Sequence, residues 1–382
     1  MTPDSGPQLL SDQRAKHSIQ STSEDLGSSC DGQHSETSET YRKPKKNYGR
    51  IAFPAYRDGS WLADFVVNPW IPELIEEVDL RTVDTIKNHY TVRRGPDWSP
   101  EQLRRHIETL IQNSPYMAVK GVDKNFWTER ILSVLLGTTR YGEYTLFLQL
   151  FYLTCFPNAR VLKLGCSWSP CVLAGDPIRV REQCELVLNT ISKNERHEFL
   201  ALRKLKFLEY TPDTYTHQHQ HLQMMLPFFA LPELERLYAC NLTSISPQSP
   251  LTWKDPTVHS NLRSIELINC CIDVEAIETL LAHTPRLMRL AYVHVADVHD
   301  ESSAMITWDA DRFAAAIERQ VGHQLVDLTI KMHTECVPVY ISKIQSLPGF
   351  TQLRKVRLDP LVASRELLHS LPPQFYQAIA RH

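Results

Sequence analysis

Apolar side chains recur along this chain in one short phrase, apolar-x-x-apolar-x-apolar. It reads Ile75-Val78-Leu80, Ala159-Leu162-Leu164, Leu202-Leu205-Phe207 and Leu234-Leu237-Ala239. It continues as Leu262-Ile265-Leu267, Leu287-Leu290-Tyr292, Leu325-Leu328-Ile330 and Leu353-Val356-Leu358. The alternating half of each phrase puts every second side chain on one side, which predicts a short strand with one buried face. Between phrases the spacing turns helical. Asp273 stands as an N-cap before Ala276, Ile277, Leu280 and Leu281. Asp309 does the same before Phe313, Ile317 and Val321, with Gly322 where a C-cap glycine would end the helix. Ser99-Pro100-Glu101-Gln102 joins a capping box to proline at the first helical position, opening a helix that buries Leu103, Ile107, Leu110 and Ile111. Further helices are expected around 126–136 and 142–155, and one degenerate repeat near 117–122.

A strand–helix unit of this size cannot bury its own face, so neighbours must stack. The last five spacings between middle anchors are 32, 28, 25, 38 and 28 residues. They lie in or near the period of leucine-rich repeats, while the two before them are longer. The expected fold is therefore α/β: a leucine-rich-repeat solenoid over 75–372, with a curved parallel β-sheet on its concave face and helices on its convex face.

One unit is sharper than the rest. Leu262-Arg-Ser-Ile265-Glu-Leu267-Ile-Asn-Cys270-Cys-Ile272-Asp273 runs on through Ile277 and Leu280 to His283-Thr284-Pro285-Arg286-Leu287. It resembles the cysteine-containing leucine-rich repeat of F-box substrate adaptors, with Thr284 where their C-P-x-L turn often has cysteine. Phe156-Pro157-Asn158-Ala159 and Leu231-Pro232-Glu233-Leu234 repeat the proline-led approach to a strand. With Trp308-Asp309-Ala-Asp311-Arg-Phe313, Val321-Gly322 and Leu353-Arg-Lys-Val356-Arg-Leu358-Asp359, the chain is similar to fungal F-box or leucine-rich-repeat proteins over roughly 70–372. The resemblance implies a non-enzymatic substrate receptor that binds a protein partner on the concave face, with cullin-ligase components as further partners. The F-box itself, a helical segment of about 40 residues opening on Leu-Pro-x-Glu, is not evident. Phe53-Pro54-Ala55-Tyr56 only echoes that opening, and 48–74 is short for the segment.

Residues 1–47 read as a disordered tail. Their first 40 residues hold thirteen Ser or Thr and no aromatic residue, too little apolar surface to offset chain entropy. The tail closes on Arg42-Lys43-Pro44-Lys45-Lys46, a solvated linker or a nuclear import signal. Residues 48–74 read as an N-terminal capping segment and 373–382 as a C-terminal tail. Met1 to Leu10 lack the pattern of a secretory signal, and the apolar run Leu146 to Phe156 is too short to cross a bilayer. Nine cysteines, an odd number with no C-x-x-C pair, suit a reduced compartment, cytoplasmic or nuclear.

Charge and chemistry narrow the function. The formal net charge of −3 argues against a nucleic-acid binder, and 13 glycines in 382 residues argue against a glycine-rich phosphate loop. His217, His219 and His221 alternate with glutamine, but no acidic or cysteine ligand adjoins them. His197-Glu198 lacks the second histidine of a metalloprotease helix. Cys166 and Cys171 flank Trp168 at a spacing that fits neither zinc nor redox motifs. No catalytic, cofactor or metal residue is assigned; an uncharacterised enzyme or a nucleic-acid-binding protein is the alternative. Recognition falls to side chains between the anchors. Arg160, Lys163, Arg203, Lys204 and Lys206 are expected to form one basic patch from two consecutive units, with Arg236 and Tyr238 as mid-array anchors for an acidic or phosphorylated protein segment.

Overall fold

The computed structural model describes residues 49–52, 60–81, 99–136, 145–165, 168, 177–193, 198–212, 220–244, 250–253, 255–295, 308–333 and 341–371. All of them belong to one compact unit, Asn47–His382. The tail, its basic cluster, the 373–382 segment, Cys166 and Cys171 lie outside the described residues.

Strand β1 (Arg50–Ala52) is followed by α1 (Ser60–Val67) and β2 (Glu77–Asp79). Three helices come next: α2 (Pro100–Asn113), α3 (Lys124–Leu135) and α4 (Thr145–Leu153). The chain returns through β3 (Val161–Leu164), α5 (Pro177–Lys193), β4 (Phe207–Tyr210), β5 (Gln220–His221) and α6 (Leu226–Phe229). Then come β6 (Arg236–Cys240), β7 (Leu242–Ser244), β8 (Ser264–Ile272), α7 (Val274–Ala282) and β9 (Arg289–Val295). The described chain closes with α8 (Ala310–Val321), β10 (Asp327–His333), β11 (Lys355–Leu358) and α9 (Arg365–Ser370).

The strands form a large, parallel sheet whose order follows the chain, β1-β2-β3-β4-β6-β8-β9-β10-β11, with β5 and β7 in a short side strip against the end of β8. Each new strand adds to the same growing edge. This is the geometry of a solenoid-like α/β array, and seven of the eight expected phrases supply strands to it. The segments near 205, 237 and 265 lie in one sheet, as expected.

The register explains why the phrase repeats. Ile51, Val78, Leu162, Leu208, Leu237, Ile265, Leu290, Leu328 and Val356 are cross-strand partners in one continuous rung. All are buried. A fully buried aliphatic side chain contributes about 1.5–3 kcal/mol, so the rung is a major part of the core. Tyr292, two residues along β9, stacks on Phe313 of α8, which places that helix on the same face.

Two expectations need correction. The third unit is not Leu202-Leu205-Phe207 but Leu205-Leu208-Tyr210, three residues later. Leu202 has a left-handed backbone, φ +58°, and donates its N–H to Phe156 O at 2.9 Å, so the chain is still turning there. Both phrases match the apolar pattern; only Leu208 can meet Leu162 and Leu237. The expected degenerate repeat near 117–122 is a 3₁₀ turn, Pro115–Ala118, followed by a bend, and adds no strand. The sheet also starts one strand earlier than the repeat phrases do, at β1.

Capping follows the sequence closely. Ser99 and Gln102 form the reciprocal capping box, Asp273 accepts from Ala276 N, and Asp309 accepts from Arg312 N. Gly322 does end α8, but in right-handed conformation. Its requirement is space, because a Cβ there would meet Glu318 O at 2.5 Å. Asn241 and Asn269 hold left-handed turns, φ +54° and +53°, that lead the chain off the sheet after β6 and within β8. The buried Cys270 thiol supports both turns, accepting from Leu242 N and donating to Ile268 O, each at 3.4 Å.

Candidate interaction surface

Side chains that alternate with the buried rung stand on the face of the sheet opposite the helices. At the N-terminal end this face is filled with paired charge. Arg81 grips Asp79 through two hydrogen bonds, 2.9 and 2.8 Å, and reaches Glu209 at 2.7 Å. Arg50 donates to Asp79 at 2.9 Å and lies 3.4 Å from Glu77, which also takes Lys163 Nζ at 2.8 Å. Three cations and three carboxylates thus neutralise one another across β1 to β4. Burial opposes ionisation of Asp79, which is only 5 % exposed, but the guanidinium groups of Arg81 and Arg50 hold its carboxyl below the usual value.

From β6 onward the pattern changes. Arg236 lays its guanidinium 5.1 Å over the Phe207 ring. Tyr238 follows on the same strand and accepts a hydrogen bond from the Cys240 thiol at 3.4 Å. The Cys240 thiol beside it, together with burial, pushes the Tyr238 phenol above its usual range. Glu266 partners Tyr238 in register, and Arg289 and Arg357 are solvent-accessible further along. The one ion pair described on this stretch is Lys355 with Asp327, at 3.7 Å.

The expected basic patch is therefore divided. Lys163 is on the open face but is committed to Glu77. Arg203 and Lys204 sit in the turn before β4, because the register of that unit is three residues later than its first matching phrase. Phe207 and Glu209 take the open-face positions instead. Arg160 and Lys206 do come together: Lys206 N donates to Arg160 O at 2.9 Å, one residue ahead of their strands. Arg236 and Tyr238 are where the pattern placed them. Phe207 ends an apolar phrase, so alternation alone reads it as a core anchor rather than an open-face residue.

The other chemical candidates resolve into structure. His221 accepts from Gln223 N through Nδ1 and caps a short 3₁₀ turn; His217 and His219 lie outside the described residues. No group of three metal-ligating side chains occurs among the described residues. Burial raises the Cys155 thiol to about 12, and likewise pushes Cys184 and Cys270 upward. A nucleophilic cysteine needs the opposite shift. Tyr292 is a buried hub, donating to Cys270 O at 3.0 Å, accepting from Ile272 N at 3.1 Å and lying 2.9 Å from His294 Nδ1. It pins β9 to the irregular end of β8. No described helix is long and apolar enough to cross a membrane. No protein-family model matches this chain, and no curated protein matches it.

Proposed function

We propose that this protein is a non-enzymatic interaction scaffold, and that a protein partner binds the open face of the sheet around Phe207, Arg236 and Tyr238. The observation that carries this reading is a sheet face on which Phe207 and Tyr238 are half-buried and Arg236, exposed over the Phe207 ring, makes no ion pair among the described residues. An aromatic pair beside an arginine is the composition of an interface hot spot. The finer reading is a leucine-rich-repeat substrate receptor of the F-box type. Its support is the nine-membered rung of anchors and the Cys270 thiol in the turn of the 262–290 unit. Five described cysteines are free thiols, which suits a cytoplasmic or nuclear protein.

The test compares proteins that co-purify with wild type and with the Arg236→Ala/Tyr238→Ala variant, quantified by mass spectrometry. Partner recovery should fall about tenfold in the variant with an unchanged melting temperature. Equal recovery from both would end the open-face reading. Cullin-ligase subunits among the lost partners would support the receptor assignment, and their absence from the wild-type set would reduce the protein to a plain scaffold.

A further inference from the structure

The edge at which the strands begin carries a second surface. Just before each strand, one residue extends the backbone ladder. Arg160 N donates to Glu76 O, Lys206 N to Arg160 O, Glu235 N to Lys206 O and Arg263 N to Glu235 O, all within 3.0 Å. Met288, Val326 and Arg354 continue the row by the same bond. Neighbouring strands lie about 4.8 Å apart, so from β3 to β11 this row is about 30 Å long. With the first residue of each strand it presents Arg160, Lys206, Arg236, Arg263, Arg289 and Arg354, all exposed. None of the six forms an ion pair among the described residues. Lys355 is set aside by Asp327; against the six cations stand Glu235 within the row, Glu76 at its start and Glu233 beside its middle. A cavity of about 200 Å³ opens at its middle, lined by Pro232, Glu233, Glu235, Asn261, Arg263 and Arg286.

We infer that this band binds an extended, Asp/Glu-rich segment of a protein partner. The inference rests on the scaffold reading and adds the chemistry and place of one contact. On a chain of net charge −3, six cations of one band, without an ion pair among the described residues, repel one another within a Debye length. An acidic strand relieves that repulsion, and about ten extended residues cover the row. A nucleic-acid strand suits it less. Bases need exposed aromatic platforms, and the one aromatic at this edge, Phe207, is covered by Arg236. Glu235 would also face a continuous phosphate backbone, whereas Met288, 44 % exposed, and Val326 match apolar side chains interspersed among acidic ones.

Fluorescence anisotropy of the full chain with labelled dodeca-glutamate, and in parallel with labelled oligothymidylate, tests the inference. Glutamate binding should weaken as salt rises from about 50 to about 200 mM. Arg263→Glu with Arg289→Glu should weaken it about tenfold, and Glu235→Lys should tighten it about threefold. The gain from Glu235→Lys keeps the test valid if the double variant folds poorly. Equal affinity in wild type and both variants would overturn the inference, as would tighter binding of oligothymidylate, which would make the band a nucleic-acid surface. Tyr238→Ala should leave glutamate binding unchanged. If glutamate binding behaves as expected while Tyr238→Ala, which leaves the band intact, recovers every partner, the open-face site fails and the band stands.

Discussion

The two ends of the sheet's open face use the same residue types for opposite ends. Across β1 to β4 each charged side chain on that face has an opposite charge within 3.4 Å. Beyond β6, Arg289 and Arg357 on the same face make no ion pair among the described residues, whereas Lys355 pairs with Asp327. Paired charges of the first kind hold strands in register, since Arg81 ties β2 to β4 across the intervening strand. Charges of the second kind tie no strands together, which leaves them available to the partner proposed above. Charge content alone does not separate the two; pairing does.

What both ends share is the buried rung, and breaking it should have the largest effect. Ile265→Asp puts an unpaired charge at a fully buried position between Leu237 and Leu290. A loss of about 4 kcal/mol or more is expected in denaturant titration. Unchanged stability would mean that the register is misassigned.

The next largest effect separates the halves. Arg81→Met strips the nearly buried Asp79 of its two-bonded partner and should destabilise by about 2 kcal/mol. Arg289→Ala and Arg357→Ala, on the same face, should change stability by less than about 0.5 kcal/mol. Thermal melts of the three variants side by side decide it, and a uniform cost would erase the distinction. Acid sharpens the contrast further. Asp79 has a lowered folded pKa, so its contribution is complete above the unfolded value near 3.9 and is lost as pH falls through the lower folded value. Wild type should therefore lose stability below about pH 4 more steeply than Asp79→Asn, which has no such carboxylate to protonate. Parallel pH profiles for the two would remove Asp79 from the account.

The smallest effect is one of binding alone: Lys163→Ala should leave partner recovery unchanged, because its charge is already spent on Glu77. Reduced recovery would return Lys163 to the interface that the basic phrases suggested.

Much of the architecture was legible from residue pattern because it depends on local chemistry. Strand alternation, the N-caps Ser99, Asp273 and Asp309, and the buried Cys270 each follow from neighbours close in sequence or from a repeated unit. The helix over 145–153 falls within its expected range, and that over 124–135 begins two residues ahead of the expected 126–136. The candidate surface was half legible. Arg236 and Tyr238 lie where alternation puts them, but Lys163 is neutralised by Glu77, 86 residues earlier in the chain, and no local pattern announces that pair.

The amino-acid sequence by itself determined that short strands alternate with helices and that one side of each strand is buried, because periodicity and capping act within a few residues. Tertiary structure alone decided which of two overlapping phrases, Leu202-Leu205-Phe207 or Leu205-Leu208-Tyr210, enters the sheet. Both bury apolar side chains equally well in isolation; contact with Leu162 and Leu237 selects the second. That three-residue choice moves Phe207 and Glu209 onto the open face and Arg203 and Lys204 off it. Which charges are free and which are paired is settled by the same stacking, since ion pairs form across strands that are distant in the chain and adjacent only once the sheet exists.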